Sequence, residues 1–479
     1  MEDQHEIVVR FRPRILYAAL FAWISIIGGR FLAPFLEHEA QLSSSQIGFF
    51  LAVQQCIGVP VSSMGGVWAD SLERKYPGRG RALIMALGVA TGGLFFVLHG
   101  AGRLAPEESS VFRSVEWYFI LRVLMSFSVA IIFPVADGMC LSFLEKQPGC
   151  SPDDYGKERL YGAYSWAISN IILAPCLDYF GFEVVYPFAI VSTLVLLISV
   201  YVYSQERVHQ LPQKQHRIQK CESDIMQEDT PAELNQQSEP PQKTKEEERI
   251  SSWTLFRLLV TTFYGVAFLF AILTLSSGQA VVESLVFLFF EVLGGSYTFM
   301  GLTVVLTVLF EIPIFHIAPK LLQRFGAAAL LLVAAFCYIV RVIGYSLIPE
   351  GSIGYVLFFE PLHGITYACS VTSTVDFVSA LMPEGYEASG QGIIYVVRGS
   401  GSILGLFLGG WAEDMLGPRV VYRIFATIVF VGSATFGIAV AFRDKTGQHQ
   451  VRSQTDNVEM TKSEFVDEPP SELGEPQPN

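Results

Sequence analysis

The sequence predicts an all-α integral membrane protein with twelve transmembrane helices in two pseudo-symmetric bundles of six. Three observations predict this fold. Of the 479 residues, 51% are hydrophobic and only 16% are charged, an apolar content larger than one soluble core can bury. Apolar runs of about 20 residues, the length that crosses a bilayer, recur along the chain. The two halves also repeat the spacing of particular residues.

The apolar runs form two groups of six. Those of the first half cover residues 15–36, 46–68, 82–101, 116–144, 158–180 and 183–203. Those of the second half cover residues 256–290, 298–318, 327–347, 353–381, 391–411 and 420–442. Lipid offers no hydrogen-bond partner to a free backbone group, so each run is predicted to be helical. The seventh run is long enough to break, near Ser276, Ser277 and Gly278.

Polar segments separate and flank two predicted bundles, at residues 15–203 and 253–442. Residues 1–14 are polar, and the apolar run after them is too long for a signal-peptide core, so it is predicted to stay as the first span. Residues 204–252 are rich in Gln, Glu, Lys and Pro, which predicts a disordered linker. Residues 443–479 are acidic and are predicted to form a disordered tail.

Basic residues in the short loops predict the orientation, because Lys and Arg favour the cytoplasmic side. They fall on the side of the N-terminus, the linker and the tail: Arg10, Arg12, Arg14, Arg74, Lys75, Arg79, Arg81, Lys320 and Arg324. Both termini are therefore predicted to be cytoplasmic. The net charge of -13 indicates no particular partner, since much of the acidity lies in the linker and tail. The seven scattered cysteines predict neither a disulfide framework nor a metal site.

An internal repeat supports two halves that arose by duplication, as in many transporter folds. Pro60 follows Gly48 by the same interval as Pro313 follows Gly301. Late in each half, one set of three residues matches another in spacing: Asp178, Gly181 and Tyr186 match Asp414, Gly417 and Tyr422. Two duplicated bundles would enclose a cavity between them, near the middle of the bilayer.

Ionisable residues inside apolar spans are the sharpest functional signal. A charge at the bilayer centre costs about 3 kcal/mol on insertion scales, so it faces a cavity or a partner. The alternative is a structural ion pair, or a side chain that snorkels to water near a span end, as Arg122 and Arg398 are placed to do. The candidates are Arg30, Arg122, Asp137, Arg159, Glu283, Glu311, Arg341, Glu360, His363, Asp376 and Arg398.

In the first half, Asp137, Arg159 and Trp166 are the predicted solute-binding residues. Arg159 and Trp166 are nearly two helical turns apart, so they share one face of the fifth span. A guanidinium can bind hydroxyls or a carboxylate, and an indole can stack on a sugar ring or a base. Asp137 could pair with Arg159 when no solute is bound. Packing is the alternative role for Trp166, as for most membrane-helix tryptophans.

In the second half, Glu311, Arg341, Glu360 and His363 are the predicted proton-coupling residues. Glu360 and His363 are one turn apart, and a carboxylate beside an arginine can hold or release a proton as the pair opens. The alternative is that His363 is a hydrogen-bonded core residue. Gly66 and Asp70, at the end of the second span, predict close helix approach and a charge lock between helix ends, with a role in gating.

These motifs resemble the major facilitator superfamily, in the branch of the lactose permease, nucleoside-proton symporters and "major facilitator superfamily domain containing 6"-like proteins. The resemblance covers most of residues 15–442. Gly66 and Asp70 resemble the family's loop motif. The segment from Tyr155 to Trp166 resembles the lactose permease segment that supplies a sugar-binding arginine and a stacking tryptophan. Asp137 stands at that permease's sugar-binding glutamate, and Arg341, Glu311 and His363 match its arginine, eighth-span glutamate and histidine.

The sequence departs from lactose permease at two places. Thr366 replaces the proton-carrying glutamate that follows the histidine, and Ser276 and Gln279 stand roughly where the seventh-span aspartates would be. The segment from His363 to Thr366 instead resembles the domain-6-like proteins. The resemblance therefore implies the fold but neither lactose as substrate nor an identical proton relay.

The resemblance and the buried charges together imply a monomeric secondary transporter that moves a small polar solute, sugar or nucleoside, by proton symport with alternating access. Two alternatives are a receptor or regulatory scaffold with little flux, and a facilitative or antiport carrier of an organic anion. We expect no enzyme activity, cofactor, metal or nucleic acid partner, because no nucleophile-base set or phosphate loop is present. The expected location is the plasma membrane or an organelle membrane.

Overall fold

The computed structural model describes residues 11–104, 110–145, 150, 154–205, 256–257, 259–382 and 387–464. Within these ranges the regular structure is entirely helical, which confirms the predicted fold class. The predicted linker, apart from its first two residues, lies outside the described residues. The predicted span boundaries agree with the helices below to within several residues at most ends.

The first half contains α1 to α7. Their bounds are Pro13–Gly28 for α1, Leu32–Ala40 for α2, Ser44–Lys75 for α3, Gly80–Val97 for α4, Val115–Leu144 for α5, Tyr155–Phe180 for α6 and 185–205 for α7. Helix α3 begins with a capping box, in which the Ser43 hydroxyl accepts from the Gln46 amide and the Gln46 side chain accepts from the Ser43 amide.

The second half contains α8 to α12. Their bounds are Phe263–Val292 for α8, Tyr297–Leu347 for α9, Val356–Leu381 for α10, Glu387–Leu416 for α11 and Pro418–Glu464 for α12. Helix α12 thus continues past residue 442, where the sequence predicts the tail to begin. Residues 465–479 lie outside the described residues.

Nine of the described segments are long and apolar enough to cross a membrane. Two of them, Tyr155–Gln205 and Tyr297–Leu347, have 51 residues each, far more than one crossing needs. Each contains a glycine with left-handed backbone, Gly181 at φ 66° and Gly326 at φ 77°, where the chain can turn back. Dividing both gives eleven spans, and α10, which carries Glu360 and His363, makes the total compatible with the predicted twelve.

The first span is broken, which the sequence analysis did not predict. Helix α1 ends at Gly28 and α2 begins at Leu32, so one apolar run contains two helices. The fully buried Arg122 of α5 donates from Nη1 to the carbonyl of Ile27, 3.1 Å away, and from Nη2 to Gln54 of α3, 2.8 Å away. Arg122 thereby satisfies a carbonyl at the end of α1 that has no partner within the helix.

The expectation of a break in the seventh span is wrong. Helix α8 runs without interruption from Phe263 to Val292. The Ser277 hydroxyl donates to the Thr274 carbonyl one turn earlier, at 2.7 Å. The serine side chain therefore hydrogen-bonds within the helix and does not interrupt it. Gly278 instead allows Tyr338 of α9 to pack directly against the helix backbone. The glycine here serves helix packing.

The two halves are joined on the side of the molecule where α3 and α9 begin. Asp414 of α11 accepts from the backbone amides of Ser44 and Ser45 at 3.0 and 2.9 Å. Asp178 of α6 accepts from the amides of Tyr297 and Thr298, both at 2.8 Å. Each carboxylate therefore caps the first turn of a helix in the other half, where free amides and the helix dipole favour negative charge.

We call this side the closed face, defined by the contacts of Asp178 and Asp414 and the close approach of the halves beside them. There the backbone of Gly48 lies against Gly410, and Gly301 lies against Asn170 and Ala174. Helix α3 packs on α11, and α6 packs on α9. The repeat detected in the sequence thus corresponds to two equivalent contacts between the halves.

We predict that Asp414→Ala speeds amide exchange at the start of α3 and leaves the start of α9 unchanged. Asp178→Ala should do the reverse. A lost N-cap costs about 1 kcal/mol, which corresponds to roughly fivefold faster exchange where local opening governs it. Hydrogen exchange of the purified protein, resolved by mass spectrometry, measures both segments, and each variant is the control for the other. Unchanged exchange at the capped helix would contradict the cap assignment.

Candidate functional site

The first cluster of polar residues joins α1, α5 and α6. The Tyr17 hydroxyl donates to Asp137 Oδ1 at 2.6 Å. Arg159 Nη1 lies 3.9 Å from Asp137 Oδ2 and donates to the Tyr155 hydroxyl at 2.8 Å. Asp137 and Arg159 remain 29% and 46% exposed, so a solute can reach both. The structure thus brings two of the three predicted solute-binding residues together and adds two phenols.

Trp166 lies two turns along α6 from Arg159. Its side chain is partly buried and packs against the hydrophobic core, and its carbonyl accepts from the Asn170 side chain at 2.8 Å. The contacts described for Trp166 are those of packing and of the helix backbone. The structure therefore places it on the predicted helix but not within the Asp137 cluster.

The second cluster is buried between α9 and α10. Arg341 and Glu360 are 2% and 3% exposed and form an ion pair of 3.3 Å. Arg341 Nε donates to the Tyr345 hydroxyl at 2.8 Å, and that hydroxyl donates to Glu360 Oε1. The Thr307 hydroxyl donates to Glu360 Oε2 at 2.9 Å. A buried carboxylate with three protein partners is well compensated for its loss of water.

His363 lies one turn from Glu360, between two arginines. Arg341 Nη1 is 2.6 Å from its Nδ1, and Arg30 Nη2 is 3.0 Å from its Nε2. An arginine only donates hydrogen bonds, and a neutral histidine has one acceptor nitrogen. If Nδ1 accepts from Arg341, the hydrogen is on Nε2, which also lies 3.7 Å from Glu283 Oε1. One ring nitrogen therefore faces a guanidinium donor that it cannot satisfy.

Arg30 brings the first half of the chain to this second cluster. It lies in the short segment between α1 and α2, and its contact with His363 crosses from one half to the other. The sequence analysis named Arg30 only as a further intramembrane charge. From Tyr17 to the end of α1 at Gly28 is about 16 Å at 1.5 Å per residue, and Arg30 lies beyond that end. The two clusters are therefore at different depths in the membrane.

Further charged residues lie between the clusters. Tyr367 of α10 interacts electrostatically with Arg159 of the first half and with Glu311 and Arg398 of the second. Glu283 interacts in the same way with Arg30, Arg341 and Arg398. Arg398 donates to the carbonyl of Ser370 at 3.0 Å, and its Nε has no hydrogen-bond partner among the described residues. Charged side chains therefore extend from one cluster to the other.

Two predicted elements lie away from this path. Asp376 is exposed near the end of α10. Asp70 forms an ion pair of 2.6 Å with Arg81 at the start of α4, and Arg81 also donates to the carbonyl of Gly138 on α5 at 2.9 Å. A cavity of about 270 Å³ lies beside this pair and is lined in part by Gly66 and Glu145. Asp70 and Arg81 thus link the ends of three helices.

The sequence analysis missed the hydroxyl groups of both clusters. Tyr345 is one turn after Arg341, so helical spacing could have indicated it. Thr307 and Tyr17 had no comparable signal, because their partners Glu360 and Asp137 are 53 and 120 positions away in the chain. Polar tyrosines in apolar spans are also the normal composition of membrane helices.

We predict that Arg341→Gln lowers the free energy of unfolding by about 3 kcal/mol, because it leaves the Glu360 carboxylate buried without its cation. The double variant Arg341→Gln/Glu360→Gln should lose less than the sum of the single losses. Thermal unfolding in detergent measures this order. Arg79→Gln, at an exposed arginine, is the control. Additive losses would show that the pair is not coupled.

Comparisons with known proteins agree with this architecture. The model of the "MFS_1 like family" matches residues 12–424. The maltose permease of Geobacillus stearothermophilus is 23% identical over 90% of this chain and 92% of its own length. The crystal structure of the nucleoside transporter NupG has a TM-score of 0.67 at 15% identity, covering 89% of this chain and 98% of that one.

A second solved structure, a D-xylose-proton symporter, has a TM-score of 0.56 at 14% identity, covering 88% of this chain and 95% of that chain. At such identities the solved structures establish the fold alone. The family model covers most of the chain, and the relatives are transporters rather than enzymes. The protein is therefore a multi-pass membrane transporter of the major facilitator superfamily and belongs to its MFS_1-like family.

Proposed function

We propose that the protein is a proton symporter for a small hydroxyl-bearing solute of the sugar or nucleoside class. The observation that carries the proposal is the pair of clusters described above, a partly exposed one around Asp137 and a buried one around Glu360. Isolated charges at these depths would be costly. The names of the relatives, a maltose permease, a nucleoside transporter and a D-xylose-proton symporter, favour the same solutes and coupling ion.

The Asp137 cluster suits a neutral solute with several hydroxyl groups. Asp137 accepts hydrogen bonds, Arg159 donates them, and the phenols of Tyr17 and Tyr155 do both. A hydroxyl-bearing solute can therefore replace the contacts that these side chains make with one another. Trp166, deeper in α6, is available to pack against a ring that extends from the cluster.

The buried cluster suits reversible protonation. Protonation of Glu360 would remove the negative charge that pairs with Arg341, and the guanidinium would then favour its other partners, Tyr345 and His363. His363 also touches Arg30, so this rearrangement would reach the contact between the halves. Proton binding at Glu360 would in this way change the stability of the closed face.

The predicted cytoplasmic termini decide which side of the membrane the closed face is on. The closed face is on the side of the membrane opposite Pro13, because α1 and α2 together cross the bilayer once. We propose that in this conformation the space between the halves is open to the cytoplasm, with Asp70 and Arg81 as part of the gate on the cytoplasmic side. The plasma membrane is the proposed location.

We expect Asp137→Asn and Arg159→Gln each to weaken solute binding by about tenfold to a hundredfold, since a hydrogen bond to a charged group contributes about 1.5–3 kcal/mol. The assay measures binding of radiolabelled sugars and nucleosides to the purified protein. Lys157→Gln, on the same helix and 80% exposed, is the matched control. Equal affinity in all three variants would remove these residues from the solute site.

We expect Glu360→Gln to abolish accumulation driven by an imposed pH gradient while it retains exchange of labelled for unlabelled solute, because a glutamine cannot carry the proton. Proteoliposomes measure both processes in one preparation. Glu350→Gln, in the exposed turn after α9, is the control. Gradient-driven accumulation by the Glu360 variant would exclude this carboxylate as the proton site. Uptake by the unaltered protein without any dependence on pH would replace symport by facilitated diffusion, and binding without flux would favour a receptor.

A further inference from the structure

Three potential metal ligands meet on the closed face, away from both polar clusters. Glu37 and His38 lie near the end of α2, and Glu291 lies near the end of α8. One ligand atom from each lies within 4.8 Å of the other two, and His38 Nε2 is 3.2 Å from Glu291 Oε2. Because α2 belongs to the first half and α8 to the second, the group spans the junction between them.

The surroundings of this group carry an excess of negative charge. Glu413 of α11 is 8% exposed, has a carboxylate oxygen without a hydrogen-bond partner, and interacts electrostatically with Glu37. Asp414, its neighbour, also interacts with Glu37. Among the ion pairs of the described residues, none joins a Lys or Arg to Glu37, Glu291 or Glu413. A bound cation would therefore be favoured beside these carboxylates.

Arg103, which follows α4 and contacts the end of α2, does not supply that charge. Arg103 pairs with Glu39 and with Glu183, so its guanidinium is already occupied. His38 is the only positively ionisable group in the cluster, and its ring stacks on Phe182 with centroids 5.4 Å apart. The stacking fixes the ring plane, while half of the side chain remains exposed.

The donor set selects the kind of cation. One imidazole nitrogen and two carboxylate oxygens suit Zn²⁺, whereas Ca²⁺ and Mg²⁺ prefer oxygen ligands alone. Zinc binds such ligands at about 2.0–2.2 Å, so tetrahedral ligand atoms are about 3.3 Å apart. His38 Nε2 and Glu291 Oε2, 3.2 Å apart, are already at that spacing. Rotation of the exposed Glu37 side chain supplies the remaining contraction, about 1.5 Å at most. The exposed position leaves room for water as a fourth ligand.

We propose that Glu37, His38 and Glu291 form a binding site for Zn²⁺ that joins the two halves at the closed face. The bound ion neutralises charge that the halves bring together when they close. It therefore stabilises the conformation in which the Asp178 and Asp414 caps are formed. The proposal is independent of the solute and of the coupling ion.

The test is calorimetric titration of the purified full-length protein, without a polyhistidine tag, with ZnCl₂. We expect one site, a raised unfolding temperature, and affinity lowered by about tenfold or more in His38→Ala and Glu291→Gln. His316→Ala and Glu350→Gln, at exposed positions outside the cluster, are the matched controls. His38→Cys, which restores a zinc ligand, should recover binding. X-ray absorption should report nitrogen and oxygen ligands in the unaltered protein.

Two results would overturn the proposal. One is zinc affinity that is the same in His38→Ala, Glu291→Gln and the unaltered protein, or matched by Mg²⁺ and Ca²⁺. The other concerns the bridging of the halves. Zinc should slow amide exchange at the starts of α3 and α9 in the unaltered protein but not in His38→Ala, and zinc binding without slower exchange would contradict a link between the halves.

Discussion

The structure depends on one constraint, that a charge inside the bilayer must find its partners within the protein. The chain meets this constraint differently at each depth. Arg341 and Glu360 are sealed together with a tyrosine and a threonine. Arg122 uses its charge to satisfy the carbonyl of Ile27 where α1 ends. Arg159 and Asp137 are left partly accessible, so a solute can reach this pair but not the buried one.

Duplication accounts for the symmetry of the closed face but not for the contact between the halves at Arg30. The same carboxylate-to-amide contact occurs twice, from Asp178 and from Asp414, because each half supplies both a cap and a helix start. The central contact is not duplicated. Arg30 reaches across to His363 from a break in the first span, and the corresponding seventh span, α8, is continuous. Because of this asymmetry, the first half contacts the buried Glu360 cluster through Arg30, and the second half makes no equivalent contact from α8 through a broken helix.

The sequence was sufficient for the fold because lipid imposes a length and a composition on every span. It also identified Asp178 and Asp414 as equivalent, but it could not show that their partners are backbone amides, which have no side-chain signature. The break at Arg30 was hidden inside one apolar run. The break expected near Gly278 does not occur, and Tyr338 packs against that glycine in the continuous helix. Contacts between distant segments, such as that of Tyr17 with Asp137, could not be predicted, because no sequence pattern relates the two positions.

The contacts that hold the closed face are all short-ranged. An N-cap acts only within the first helical turn, and the Arg30–His363 contact and the proposed zinc bridge act only at bonding distance. A separation of a few ångströms would therefore break all of them together, which is the behaviour that a two-state opening of this face requires. A ligand can shift such an equilibrium only through contacts that differ between the two states. A solute held by Arg159 of one half and reaching Tyr367 of the other would make such contacts, because relative movement of the halves changes the distance between these two side chains.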